Sequence, residues 1–138
     1  MIGLEIARAA LAGAEAEARR LGVAVAVAVV DAAGLPIALI RMDTAIPATA
    51  ELALGKAFGA AYWQRPTSDL ATLARDRPSF FAALMASARR PLVPSAGGLP
   101  IIQSGQLAGA IGVSGARSPE EDVICAQAGL IAAGLSPI

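Results

Sequence analysis

The sequence predicts an α+β domain with helices packed on an antiparallel sheet. Three observations carry that prediction. Two stretches, around 23–41 and 99–114, read as separate β-hairpins. Apolar residues at helical spacing bracket them at both ends and fill the interval between. The resulting order is helix, hairpin, helices, hairpin, helix, which suits one antiparallel sheet covered by helices. A chain of 138 residues is one domain by size, taken here as 1–138.

The elements follow in order. Leu4, Ala7, Leu11, Ala14, Ala18 and Leu21 mark an amphipathic helix, with Glu15 and Arg19 as a supporting pair and Gly22 as its stop. Residues 23–30 alternate Val and Ala without a polar side chain. They predict a strand covered on both faces, large side chains one way and small ones the other. Asp31-Ala32-Ala33-Gly34 is a turn, and 35–41 a second strand with Pro36 at its start. Pro47 opens a helix to about Trp63, in which Gly55 and Gly59 predict close packing against another backbone. Arg65-Pro66 ends it, and Thr67 or Ser68 is placed to cap a short successor. Ser79 is read as the cap of a further helix to about Ala88. The second hairpin spans 99–103 and 106–114 over Ser104-Gly105. Ser118-Pro119-Glu120-Glu121 then starts the last helix, which ends near Ala133 and Gly134.

Composition narrows the functions. Eleven basic and eleven acidic residues give zero net charge, and no basic stretch could track a nucleic-acid backbone. The uncharged run 91–116 is broken by Pro, Gly, Ser and Gln and makes a poor membrane span. Glu5 sits where an export signal wants basic and then apolar residues, so the expected compartment is the cytoplasm. The apolar fraction of 56% suggests surface hidden in a homo-oligomer. Cys125 is the only cysteine, so no internal disulfide forms and no Cys-rich metal site is expected. There is no histidine at all. That removes His-based acid–base catalysis, Ser-His and Cys-His nucleophile pairs and every imidazole ligand.

The residues with chemical potential are few. Arg41 and Asp43, one residue apart at a strand end, face the same side. They could grip and orient a carboxylate, or form a structural ion pair or subunit contact. Lys56, the only lysine, lies in an apolar helix. It could serve as a ligand contact, a base or an imine-forming amine, or be a snorkelling lysine paired with Glu51 or Asp43. Gly97, Gly98 and Ser114 could line one cavity wall, with backbone N–H groups near Gly98 forming an anion nest; the glycines could equally serve tight turns. Thr67 reads as a helix cap or a ligand contact. Tyr62 and Trp63 read as core or interface rather than cofactor stackers, and Asp122 as a helix-dipole partner or a functional carboxylate.

Several motifs together carry a resemblance. Asp31-Ala-Ala-Gly34, Arg41-Met42-Asp43, Ala53 with Lys56-Ala57, Pro66-Thr67, Gly97-Gly98-Leu99-Pro100, Gly109-Ala-Ile-Gly-Val-Ser-Gly115 and Asp122 resemble the GlcG/HbpS family across nearly the whole chain. That family, often labelled haem-binding or haem-degrading, includes the C-terminal domain of PduO-type proteins. The resemblance implies a sheet of about five antiparallel strands flanked by helices, similar to profilin- and PAS-like domains. It also implies homo-oligomers built from dimers, as tetramers or octamers. It implies no single activity. Many relatives carry His after the turn glycine, where this chain has Leu35, so histidine-ligated haem is excluded.

The expected function is therefore binding of a small anionic or carboxylate-bearing metabolite. Its site would be built around Arg41, Asp43 and Lys56, with Thr67, Gly97, Gly98 and Ser114 as further contacts. One alternative is an enzyme of small-molecule metabolism, a lyase, isomerase or cyclase, with Lys56, Asp43 and Glu51 as acid–base groups. Another is haem held by a non-histidine ligand such as Thr67, Tyr62 or Lys56, disfavoured by the lack of histidine. A structural or chaperone-like subunit is the last. No metal ligands are expected.

Overall fold

The computed structural model describes residues 1–136. Five helices and four strands follow one another as α1 (Leu4–Leu21), β1 (Ala26–Asp31), β2 (Pro36–Arg41), α2 (Ala48–Trp63), α3 (Thr67–Asp76), α4 (Pro78–Ser87), β3 (Gly98–Gln103), β4 (Gln106–Ser114) and α5 (Pro119–Ala132). The strands form one antiparallel sheet in the order β2-β1-β4-β3. The α+β class and both hairpins agree with the sequence reading. The sheet has four strands, not the five that the resemblance implied. Between β2 and β3 the chain is helical, so it adds no fifth strand.

Helices cover both faces of the sheet. On one face α1 and α5 pack over Val25, Val27, Val29, Leu99, Ile101, Ile111 and Val113. On the other, α2 lies against Ala26, Ala28, Val30 and Ala110 through Ala53, Ala57, Ala60 and Ala61. The Val/Ala alternation of β1 therefore has its physical meaning. Large side chains fill the wide gap under two helices, and alanines let one helix sit close. Beyond α2, the α3–α4 arm closes a third cluster around Phe58, Leu70 and Leu92.

The glycines of β3 and β4 bring α2 closer still. Gly98 and Gly112 are paired across the two strands. A Cβ on Gly112 would run into the Ala53 carbonyl oxygen and the Ala57 amide of α2, and one on Gly98 into the Lys56 carbonyl. These positions serve close approach of another backbone. Gly55 and Gly59 behave differently from expectation. Their nearest neighbours are the side chains of Val93, Leu70 and Thr67, and the one backbone atom nearby is the Pro91 carbonyl oxygen, 3.5 Å from a Cβ on Gly55.

Local differences have local causes. β1 begins at Ala26, not at 23, because its partner Arg41 ends β2 there. Thr67 does not cap α3. Pro66 holds the cap position, and the buried Thr67 hydroxyl accepts the Gly98 N–H at 2.8 Å, tying α3 to β3. Ser79 lies inside α4, whose cap position is Arg77, with no side-chain cap bond. Ser118 does cap α5, its hydroxyl accepting the Glu121 N–H at 3.2 Å.

Candidate ligand cavity

Lys56 enters the site because α2 is buried on several sides. The side chain is 4% exposed, and its Nζ donates to the Val113 carbonyl oxygen and to Asp122 Oδ2, each at 3.0 Å. Asp122 comes from the first turn of α5, on the opposite face of the sheet. The pair closes around Gly97. A Cβ there would stand 2.6 Å from the Val113 oxygen and 2.9 Å from Nζ. Gly97 also has φ 130°, a left-handed conformation that side chains rarely adopt. Asp122 Oδ1 accepts the Ala116 N–H at 3.0 Å, which fastens the loop between β4 and α5. Burial pushes the Asp122 carboxyl above the usual aspartate range, opposed by the Lys56 charge and by the hydrogen bonds from Ala116 and Lys56.

The ion pair lines a cavity of about 550 Å³. Thr44, Thr49, Ser114 and Arg117 also line it. The Thr49 hydroxyl donates to the Ile46 carbonyl at 2.7 Å. Ser114 is 6% exposed, and its hydroxyl has no hydrogen-bond partner among the described residues. Arg117 is held at the rim by Glu121 at 2.8 Å. The cavity thus offers an anchored ammonium, a carboxylate and an unspent hydroxyl, in a volume ordinary for small-molecule sites.

The expected site residues divide. Lys56 and Ser114 share the cavity. Arg41 and Asp43 line a shallow groove of about 230 Å³ with Glu15 and Arg19. Arg41 reaches the cavity indirectly, its guanidinium donating at 2.6 Å to the carbonyl of Ala45, a lining residue. Glu51 is exposed on α2 and does not line the cavity. Lys56 pairs with neither Glu51 nor Asp43. Thr67 and Gly98 bond to each other behind α2, so that Gly98 N–H is spent rather than open to an anion. Gly97 supports the ion pair from beneath. Tyr62 stacks on Phe58 at 5.4 Å and shares a 2.8 Å hydrogen bond with Ser87.

Sequence reasoning missed Thr49, Thr44 and Arg117 as lining residues. Thr49 left a signal, seven residues before Lys56 and so two turns back on the same helix face. Thr44 left none, although its φ of 71° is unusual for a β-branched residue.

A family model described as "haem degrading protein HbpS-like" matches residues 2–131. The chain belongs to the HbpS-like family. GlcG of Escherichia coli K12 is 34% identical over 116 residues, covering 83% of this chain and 81% of GlcG. A crystal structure of a double mutant of HbpS from Streptomyces reticuli has a TM-score of 0.84 at 35% identity, covering 94% of this chain and 85% of that one. The crystal structure of a complex of PduOC with haem has a TM-score of 0.87 at 28% identity, covering 99% and 97%.

This HbpS-like chain lacks the side chain most suited to holding haem axially. The chain has no imidazole. Each non-histidine ligand that the sequence offered is committed elsewhere: Thr67 to Gly98, Tyr62 to Ser87, and Lys56 to Val113 and Asp122. Cys125 is buried and lies outside the cavity, and burial pushes its thiol up to about 11. The Met42 and Met85 sulfurs accept backbone N–H groups of Val25 and Leu92.

Proposed function

We propose that this chain is a small-molecule-binding protein whose ligand, a small carboxylate or similar anion, sits in the cavity lined by Lys56 and Ser114. One observation carries the reading. Lys56 spends two of its three donors on Val113 and Asp122, and Ser114 spends its hydroxyl on no described residue, while both line the same cavity. A carboxylate there would accept from the remaining ammonium N–H and from the hydroxyl. Hydrogen bonds to a charged group are among the stronger ones. Arg41 and Asp43 lie outside the cavity in this reading. Arg41 holds the Ala45 carbonyl, and so shapes the cavity mouth without touching the ligand.

The assembly proposed with it is a homo-oligomer. Exposed Ile46, Ile131 and Leu35, 50–64% accessible in the single chain, support that reading. No helix among the described residues is long and apolar enough to cross a membrane.

Isothermal titration with pyruvate, lactate, malonate and inorganic phosphate tests the site, with haem as comparator. Binding of one of these anions, weakened about tenfold or more in Ser114→Ala, is the expected result. Equal affinity in Ser114→Ala, or binding of haem alone, refutes the assignment. Light scattering of the same sample reads the oligomeric state.

A further inference from the structure

We infer that the cavity is also a proton-transfer site for small 2-oxo acids, in which Asp122 takes a proton from the carbon beside the carbonyl while Lys56 and Ser114 hold the adjacent carbonyl and carboxylate oxygens. The inference rests on the ligand reading above and adds a reaction to it.

The geometry supplies each part. A base needs a free lone pair. Asp122 accepts one hydrogen bond on each oxygen, from Ala116 and from Lys56, and a carboxylate has about four such positions. An enolate needs donors where its charge develops. Lys56 Nζ is tethered at 3.0 Å to two fixed acceptors, so its third N–H is held in place before any ligand arrives. Ser114 adds an unspent hydroxyl in the same cavity. Donors fixed in advance cost no reorganisation as the charge forms. Side-chain exposures of 4% and 7% keep Lys56 and Asp122 largely out of bulk water, which strengthens both effects. In a chain without histidine, a buried carboxylate is the natural base.

The step balances without a co-reactant. The C–H bond breaks and its proton goes to Asp122. The C–H electron pair becomes the enolate double bond, and the carbonyl π pair moves onto oxygen. Return of a proton restores the 2-oxo acid, so nothing is oxidised or reduced. In D2O the Asp122 proton exchanges with solvent, and the returned atom is deuterium.

The test is proton NMR of pyruvate, 2-oxobutyrate and 2-oxoglutarate in D2O with the full chain, alongside titration of the same acids. The expected result is loss of the signal beside the carbonyl faster than in buffer alone. Asp122→Asn should abolish the added exchange. Ser114→Ala, whose hydroxyl has no partner among the described residues to lose, should slow it about 10–100-fold with unchanged thermal unfolding. If Asp122→Asn fails to fold, Ser114→Ala still decides. Exchange no faster than buffer for all of the acids overturns the inference, as does exchange unaffected by Ser114→Ala. Binding without exchange overturns this step and leaves the ligand reading standing. Absence of both overturns the two together.

Discussion

Lys56 and Asp122 meet at 3.0 Å although their helices pack on opposite faces of the sheet. The contact passes the end of β4, where Val113 lends its carbonyl and Gly97 leaves the room. It therefore joins the two helical layers at the cavity itself. A buried pair of this kind is weak evidence of net stabilisation, because desolvation of both ions offsets their attraction. Its value lies in holding two chemically useful groups in one place.

Removing one partner should still be costly. Lys56→Met leaves a buried carboxylate and Asp122→Leu a buried ammonium, and each should lose about 3–5 kcal/mol of unfolding free energy. The double variant Lys56→Met/Asp122→Leu should recover most of that loss. Urea unfolding of the set reads it directly. Additive losses in the double variant would mean that the two charges are not coupled.

Thr67 should matter to the fold rather than to a ligand. Its hydroxyl is the acceptor for the Gly98 N–H inside the core. Thr67→Val keeps the shape and strands that N–H, so stability should fall by about 1–3 kcal/mol. Affinity for the anion that wild type binds should be unchanged. A Thr67→Val protein as stable as wild type would contradict the contact.

Cys125 should make stability depend on alkaline pH. Burial holds its thiol at about 11 against an ordinary value of 9.0. Between those values the folded chain keeps a proton that the unfolded chain has lost. Stability is thus fully present below pH 9 and falls as pH rises toward 11, by about 1.4 kcal/mol per unit for this group. Denaturation series from pH 8 to about pH 11 should show a shallower decline for Cys125→Ala than for wild type. Parallel slopes would show that the thiol titrates alike in both states.

Much of this architecture was legible in local sequence. Helical spacing from Leu4 to Leu21, the Val/Ala alternation before Asp31, the Ser104-Gly105 turn and the Ser118-Pro119 start each report forces that act between near neighbours. The absence of histidine likewise settled on inspection which chemistries the chain lacks. The importance of Gly97 and Gly98 was legible, but not its reason. A glycine shows that something comes close without showing what, and here it is the α2 backbone and the ion pair.

The site itself was decided by tertiary structure. In sequence, Lys56 has Glu51 and Asp43 as its nearest acidic neighbours upstream, and both were reasonable partners for it. The partner is Asp122, 66 residues away. Sequence distance predicts pairing only along one helix or one hairpin, where geometry is set by a short repeat. Which charges meet when two layers close around a sheet depends on how deeply each helix seats. That depth is set by contacts such as Gly112 against Ala53 and Ala57, which arise only in the folded chain.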